Sequence, residues 1–138
     1  MGYHIQQHDS EFSIRRGHVT EAFERLLAHF PKELEWATDL SDALMAFGWD
    51  TDDTYTWLWF IGEKHSDDHA QVFSLIAPFV ESGSWIEMQG QEGEIWRWEF
   101  TDGELYEQEG VFAWTGRRER VPAPELPLTG EQAEIFGG

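Results

Sequence analysis

The chain has 138 residues, a length typical of one domain with one hydrophobic core, and its 15% aromatic content argues against disorder. It contains no Cys, which excludes disulfides, thiolate metal sites and Cys nucleophiles. The formal charge of −18 repels nucleic acids and anionic lipids. No apolar stretch approaches the length of about 20 residues that spans a bilayer. We therefore expect a cytoplasmic protein that does not contact DNA, RNA or membrane directly.

The first 50 residues predict one or two short strands followed by two helices. Apolar and polar residues alternate over residues 3–7 and again over residues 11–14, as is typical of strands. Thr20 can cap a first helix whose apolar residues return every three or four positions. Asp39 can cap a second helix, and Gly48 suits the position just after its end.

An acidic loop, a buried strand and a third helix are predicted next. Residues 50–53 have the composition of a turn, and residues 55–61 have the β-branched and aromatic content of a buried strand. A helix is expected to begin near residues 66–68, where two Asp side chains suit the positive end of the helix dipole. Its apolar stripe ends near Pro78.

Three strands, at residues 84–89, 94–101 and 105–114, predict an antiparallel meander. With Gly93 in the left-handed region, the first hairpin places Met88 opposite Trp96 and Ile86 opposite Trp98 on an apolar face. The same register places Glu87 opposite Arg97 on the other face, where they can form an ion pair. A two-residue turn in the second hairpin would set Glu107 opposite Trp98, so we expect a bulge near Gly110 to change that register.

These elements predict an α+β domain in the order β(β)ααβαβββ. Its antiparallel sheet should end in a three-stranded meander, with about three helices packed on one face. We expect residues 1–114 to form this single acidic domain, because they hold 23 acidic and six basic residues. Residues 115–138, which contain Pro and Gly without either periodicity, should form a flexible tail.

Part of the chain resembles a small uncharacterised domain family of actinobacteria, firmicutes and their phages. The likeness lies in residues 76–80 (IAPFV), 83–88 (GSWIEM) and 92–98 (EGEIWRW), and it covers roughly residues 55–114. The resemblance implies a phage or mobile-element setting. It implies no activity that could be transferred to these positions.

The tail carries a short peptide, QAEIF at residues 132–136, that resembles the motif by which bacterial proteins bind the DNA-polymerase sliding clamp. Ile135 and Phe136 would enter an apolar groove while the Gln132 amide satisfies polar groups at its rim. Ala133 and Ile135 stand where Leu is usual, which would weaken binding. Average composition produces such short matches by chance, and that is the competing interpretation.

The acidic surface is the second candidate feature. Carboxylates on a rigid scaffold can imitate a phosphate backbone and occupy the basic groove of a DNA-binding protein. Simple solubility is the competing interpretation of such a charge. The candidate acidic residues are Asp50, Asp52, Asp53, Asp67, Asp68, Glu92, Glu94, Glu104, Glu107 and Glu109.

The Trp residues predict a core more than a base-stacking platform, because the net charge repels nucleic acid. This expectation covers Trp57, Trp59, Trp96, Trp98 and Trp114. Trp85 has the opposite parity in its strand and is expected to be exposed, where it could anchor a partner.

Neither metals nor catalytic residues are expected. His65 and His69 have the spacing of a helical ligand pair, but no third ligand is tied to them by sequence, which favours a solvated helix start. The Asp50 loop begins like a calcium loop, yet it has no Gly at the sixth position. No phosphate-binding loop, nucleophile elbow or H-E-x-x-H motif is present.

We therefore expect a non-catalytic acidic binding or inhibitor protein of phage or mobile-element type, acting in the host cytoplasm without a cofactor. Its partner would be a host DNA-handling protein: the sliding clamp, or a nuclease, restriction or CRISPR component, as for antirestriction and anti-CRISPR DNA mimics. One alternative is a small-ligand-binding or metal-dependent hydrolytic domain that uses His65 and His69. Another is a structural or oligomeric phage component.

Overall fold

The computed structural model describes residues 4–62, 68–111, 113 and 115–124. These residues form an α+β fold with three α-helices and six strands, as expected. The elements in chain order are β1 (Ile5–Glu11), α1 (Val19–His29), α2 (Leu40–Ala46), β2 (Trp49–Thr51), β3 (Leu58–Phe60), α3 (Asp68–Ile76), β4 (Trp85–Gly90), β5 (Ile95–Thr101) and β6 (Glu104–Gly110). None of the helices in this described part is long and apolar enough to cross a membrane.

The strands form two antiparallel sheets, one of four strands in the order β1-β4-β5-β6 and one of two strands, β2-β3. The register predicted for the first hairpin is confirmed at all three pairs, including Glu87 opposite Arg97. Gly93 has a φ of 88°, in the left-handed region that this loop requires. The N-terminal alternation gives one strand, β1, and only an isolated bridge between Ile14 and Val80.

The bulge predicted near Gly110 is wrong. Gly110 pairs regularly with Ile95, and Glu107 does lie opposite Trp98. Asp102 and Gly103 both have positive φ, 51° and 83°, which is the geometry of a tight hairpin turn that joins strands without a shift. The register is tolerated because the Trp98 indole N–H donates to Glu107 Oε1 at 2.8 Å, so the carboxylate satisfies a buried donor.

The predicted helices are present, with one error at a cap. α1 begins at Val19, so Thr20 lies inside the helix and does not cap it. The helical bonding starts earlier because the Ala22 N–H donates to the carbonyl of His18. The second cap is confirmed: Asp39 accepts from the Asp42 N–H at 2.8 Å.

The segment between α2 and α3 departs most from expectation. The predicted acidic loop starts inside β2, where Asp50 pairs with Trp59. The predicted buried strand is shorter, and only alternate side chains are buried: Leu58 and Phe60 point into the core while Trp57, Trp59 and Ile61 are exposed. Aromatic content alone cannot say which face of a strand is covered.

Trp49 lies at the centre of the core and joins the two sheets. Its ring lies 4.8 Å from Phe60 on β3 and 4.9 Å from Phe73 on α3. Phe73 in turn packs on Trp98 and Phe100, which face inward from the larger sheet. α3 therefore covers the inner face of the four-stranded sheet, and the outer face carries the polar residues of alternate positions.

The buried side chain of Gln7 connects the two sheets by hydrogen bonds. Its Nε2 donates to the carbonyl of Leu58 at 3.1 Å, and its Oε1 accepts from the N–H of Phe60 at 2.7 Å. Gln7 thus replaces the backbone of a neighbouring strand and holds β3 beside β1.

Candidate functional site

Four glutamates surround Trp96 at the β6 edge of the large sheet. Glu92 and Glu94 come from the turn between β4 and β5, whereas Glu107 and Glu109 come from β6. They line an open pocket of about 600 Å³ whose charged lining side chains are all carboxylates. We call this set of four residues and Trp96 the glutamate groove.

The strand register fixes the position of the groove's two β6 glutamates. Glu109 is paired with Trp96 and Glu107 with Trp98, so both carboxylates leave the same face of the hairpin. Glu107 is held by the indole N–H of Trp98, whose ring packs edge-on against Trp96. Residues two apart on a strand are about 6.6 Å apart, so the two acids present a fixed spacing along the edge.

The opposite face of the same sheet carries an ion-paired cluster. Glu87 accepts from Arg97 Nη2 at 2.9 Å and also contacts His8 Nδ1. The Arg97 guanidinium lies 4.4 Å above the centre of the Trp85 ring. Trp85, which we expected to be exposed as a partner anchor, is half-buried beneath this cation.

The cluster makes stability depend on pH. The hydrogen bond from His8, supported by Arg97 and opposed by partial burial, lowers the pKa of Glu87. A carboxyl with a lowered folded-state pKa stabilises the fold above its unfolded pKa, about 4.3, and this contribution is lost as pH falls through the folded value.

We therefore expect Glu87→Gln to lower the free energy of unfolding by about 1 kcal/mol at pH 7, because it weakens charge-assisted hydrogen bonds. The deficit should shrink as the pH falls below the unfolded pKa of about 4.3, and it should vanish below the lowered folded-state pKa, where the native carboxyl is itself protonated. Urea denaturation across this range measures it, with Glu99→Gln on the same sheet face as control. A deficit that stays constant with pH contradicts this prediction.

The other predicted acidic residues that the structure describes do not gather at the groove. Asp50 lies in β2 and is half-buried, while Asp52 organises the following loop by accepting from the N–H and hydroxyl of Thr56. Asp68 is the first residue of α3. The remaining exposed members are Asp53 in that loop and Glu104, which accepts from the Tyr106 hydroxyl at the start of β6.

Comparisons with family models, curated proteins and solved structures give no match. The resemblance and the phage setting thus stay predictions. So do the residues Asp67 and His65 and the tail peptide with Gln132, Ile135 and Phe136, because they lie outside the described residues.

His69, which we expected at a solvated helix start, lies instead in the core and is 3% exposed. Its Nδ1 accepts from the Trp49 indole N–H at 3.1 Å, which assigns the acceptor lone pair to that nitrogen. In the described residues, no group of three or more His, Asp and Glu side chains is arranged to hold a metal ion. The described geometry gives His69 a structural role.

An exposed apolar surface was missed by sequence reasoning. Trp57, Trp59 and Ile61 protrude from the β3 segment, although we expected both Trp residues in the core. Strict alternation with Leu58 and Phe60 was the signal available, since one of two alternating apolar faces on a short strand can remain uncovered.

Proposed function

We propose that this is a non-catalytic binding protein whose acidic body engages a basic surface of a partner, as a mimic of the DNA that the partner normally binds. The observation that supports it most is the glutamate groove. Four carboxylates stand on two hairpin segments around Trp96, within a chain of formal charge −18.

The groove combines the two properties that charge mimicry needs. Strand pairing fixes the backbone that carries its β6 acids, and the bond from Trp98 holds the Glu107 side chain, so less entropy is lost when a cationic partner binds. The remaining acidic surface attracts a basic partner over about a Debye length, 8 to 10 Å, and speeds association. Both effects favour a partner whose own surface is built for phosphates.

The partner class follows from this chemistry: a host protein that handles DNA, such as a nuclease or a restriction or CRISPR component. In a second version, the QAEIF peptide binds the sliding clamp, either alone or together with the acidic body. The hydrolytic and structural alternatives remain predictions without a supporting observation among the described residues.

Neutralising the groove tests the proposal. The test variant has Glu92, Glu94, Glu107 and Glu109 all changed to Gln. We expect about ten times more of this variant than of the wild type to be needed to displace DNA from the partner, since each exposed charge contributes about 0.2–1 kcal/mol. Inhibition should also depend less steeply on salt than in the wild type. The measurement is displacement of duplex DNA from a panel of restriction and CRISPR nucleases.

The matched control changes four exposed glutamates elsewhere, Glu21, Glu24, Glu33 and Glu35, to Gln, which removes the same net charge. Equal losses in the two variants would mean that overall charge, and not the groove, is responsible. Truncation after Val121 removes the QAEIF peptide, and loss of binding to purified sliding clamp on truncation would support the second version. No displacement of DNA by the wild type from any nuclease would refute mimicry of these partners.

A further inference from the structure

The β3 segment carries an exposed apolar surface that the acidic groove does not involve. Trp57, Trp59 and Ile61 are 45%, 37% and 55% exposed, and they alternate with the buried residues Leu58 and Phe60. We call these three exposed residues the tryptophan stripe. Large apolar side chains that form a contiguous exposed row on a monomer are typical of interaction sites.

The two indole rings of the stripe are arranged alike. Trp57 and Trp59 have ring planes within 10° of parallel and centroids 6.5 Å apart. This separation is near the upper end, about 7 Å, of the range over which aromatic pairs interact, so the rings hold each other only loosely. Because both residues are also partly exposed, a third planar group can reach the pair from solvent.

The backbone beneath the stripe is fixed. The Thr51 hydroxyl donates to the carbonyl of Trp57 at 2.7 Å, and Gln7 holds both the carbonyl of Leu58 and the N–H of Phe60. β2 pairs with β3 along its other edge. A ligand that binds the rings therefore meets a surface whose main chain is already ordered, which lowers the entropy cost of binding.

The surroundings of the stripe are acidic and polar. Asp50 is the cross-strand partner of Trp59, so its carboxylate leaves the same face. Beside Trp57 opens a pocket of about 390 Å³ that also contains Glu11 and Thr56. Its lining also includes four serines, Ser10, Ser13, Ser82 and Ser84, together with Phe12 and Gly83.

We infer that the tryptophan stripe is a docking site for an arginine side chain of a basic partner protein. A guanidinium is planar and weakly hydrated, stacks on indole faces, and donates hydrogen bonds to carboxylates such as Asp50. An ammonium has the charge but not the plane. A nucleobase has the plane but brings phosphates to an acidic surface. The identity of the partner as a basic protein rests on the proposed function, whereas the preference for arginine rests on the stripe alone.

The test compares two peptides of equal charge, three Gly-Arg repeats and three Gly-Lys repeats, by titration calorimetry at low salt. We expect the wild type to bind the Arg peptide several-fold more tightly. Trp57→Ala and Trp59→Ala should each weaken Arg-peptide binding by about tenfold and abolish the preference. Both side chains are exposed, so the variants should fold, which thermal unfolding checks.

Trp36→Ala is the matched control, because Trp36 is also exposed, at 55%, and lies outside the stripe. The fourfold groove variant should weaken both peptides alike and leave the preference intact. Equal binding of the two peptides, or stripe variants that bind like the wild type, would overturn the inference while leaving the proposed function standing. Binding of neither peptide would also overturn the inference, whereas the proposed function is decided by the DNA-displacement measurement.

Two further measurements on the same variants would identify a different occupant of the stripe. Tighter binding of an oligothymidylate than of the Arg peptide, lost in Trp57→Ala, would assign the stripe to nucleic acid. A decrease in mass by light scattering in that variant would assign it to a second copy of the chain. Either result contradicts the arginine site.

Discussion

Replacing Trp49 with Ala should lower the free energy of unfolding by about 4 kcal/mol, the largest loss that we expect from a single substitution. Trp49 is fully buried and packs against β3, α3 and, with centroids 6.3 Å apart, Trp98 of the large sheet. Removing the indole leaves a cavity where these elements meet. It also removes the donor to His69 Nδ1. Chemical denaturation followed by far-ultraviolet circular dichroism measures the loss.

Two further variants separate the causes of this loss. Trp49→Phe keeps most of the ring but not the N–H, so it should retain part of the stability while leaving the buried His69 acceptor without this donor. Trp36→Ala removes an exposed indole and should change stability by less than about 0.5 kcal/mol. If Trp49→Ala cost no more than Trp36→Ala, the proposed role of Trp49 in joining the sheets would be wrong.

The parts of the fold that sequence predicts well are those with local signals. In the first hairpin, Gly93 and the alternation of apolar residues specify the turn and the register together, because a one-residue slip would expose both Met88 and Ile86. α2 likewise carries its own cap at Asp39. Each of these features depends on a few neighbouring residues.

The errors occur where a specific contact, and not the composition of a segment, decides the outcome. Glu107 looked misplaced opposite a core Trp until the structure showed the indole N–H donating to it. β2 is only three residues long, and it exists because β3 pairs with it. Thr20 is a good cap residue, but the carbonyl of His18 already accepts the first helical bond. Propensity cannot anticipate these contacts.

The candidate sites divide in the same way. The glutamates of the groove could be named from sequence as members of an acidic surface, whereas their convergence around Trp96 depends on the pairing of β5 with β6. The tryptophan stripe was missed because the aromatic composition of the segment suggested a core strand, although its alternation with Leu58 and Phe60 allowed one exposed face. Its exposure results from how β3 is held, with Leu58 and Phe60 facing inward.

Gln7 is the residue that holds β3 in that position, and Gln7→Ala should lower the free energy of unfolding by about 2 to 3 kcal/mol. The substitution leaves the buried N–H of Phe60 without its acceptor and removes the Gln7 donor from Leu58. The Ser10 hydroxyl still donates to the Leu58 carbonyl, which limits the loss. Gln6→Ala, next along the strand but exposed, should be nearly neutral.

A third variant distinguishes lost hydrogen bonds from lost volume. Gln7→Leu fills the space but cannot accept a hydrogen bond from the Phe60 N–H, so its stability should stay close to that of Gln7→Ala. Recovery of wild-type stability in Gln7→Leu would instead show that packing alone joins the sheets. The same two hydrogen bonds also affect the exposed surface, because they fix the backbone on both sides of Trp59. Where β3 loosens without global unfolding, hydrogen exchange at residues 58–60 should rise, and the preference for the Arg peptide should fall with it. The buried Gln7 amide therefore fixes the main chain that carries the two exposed indoles of the proposed arginine site.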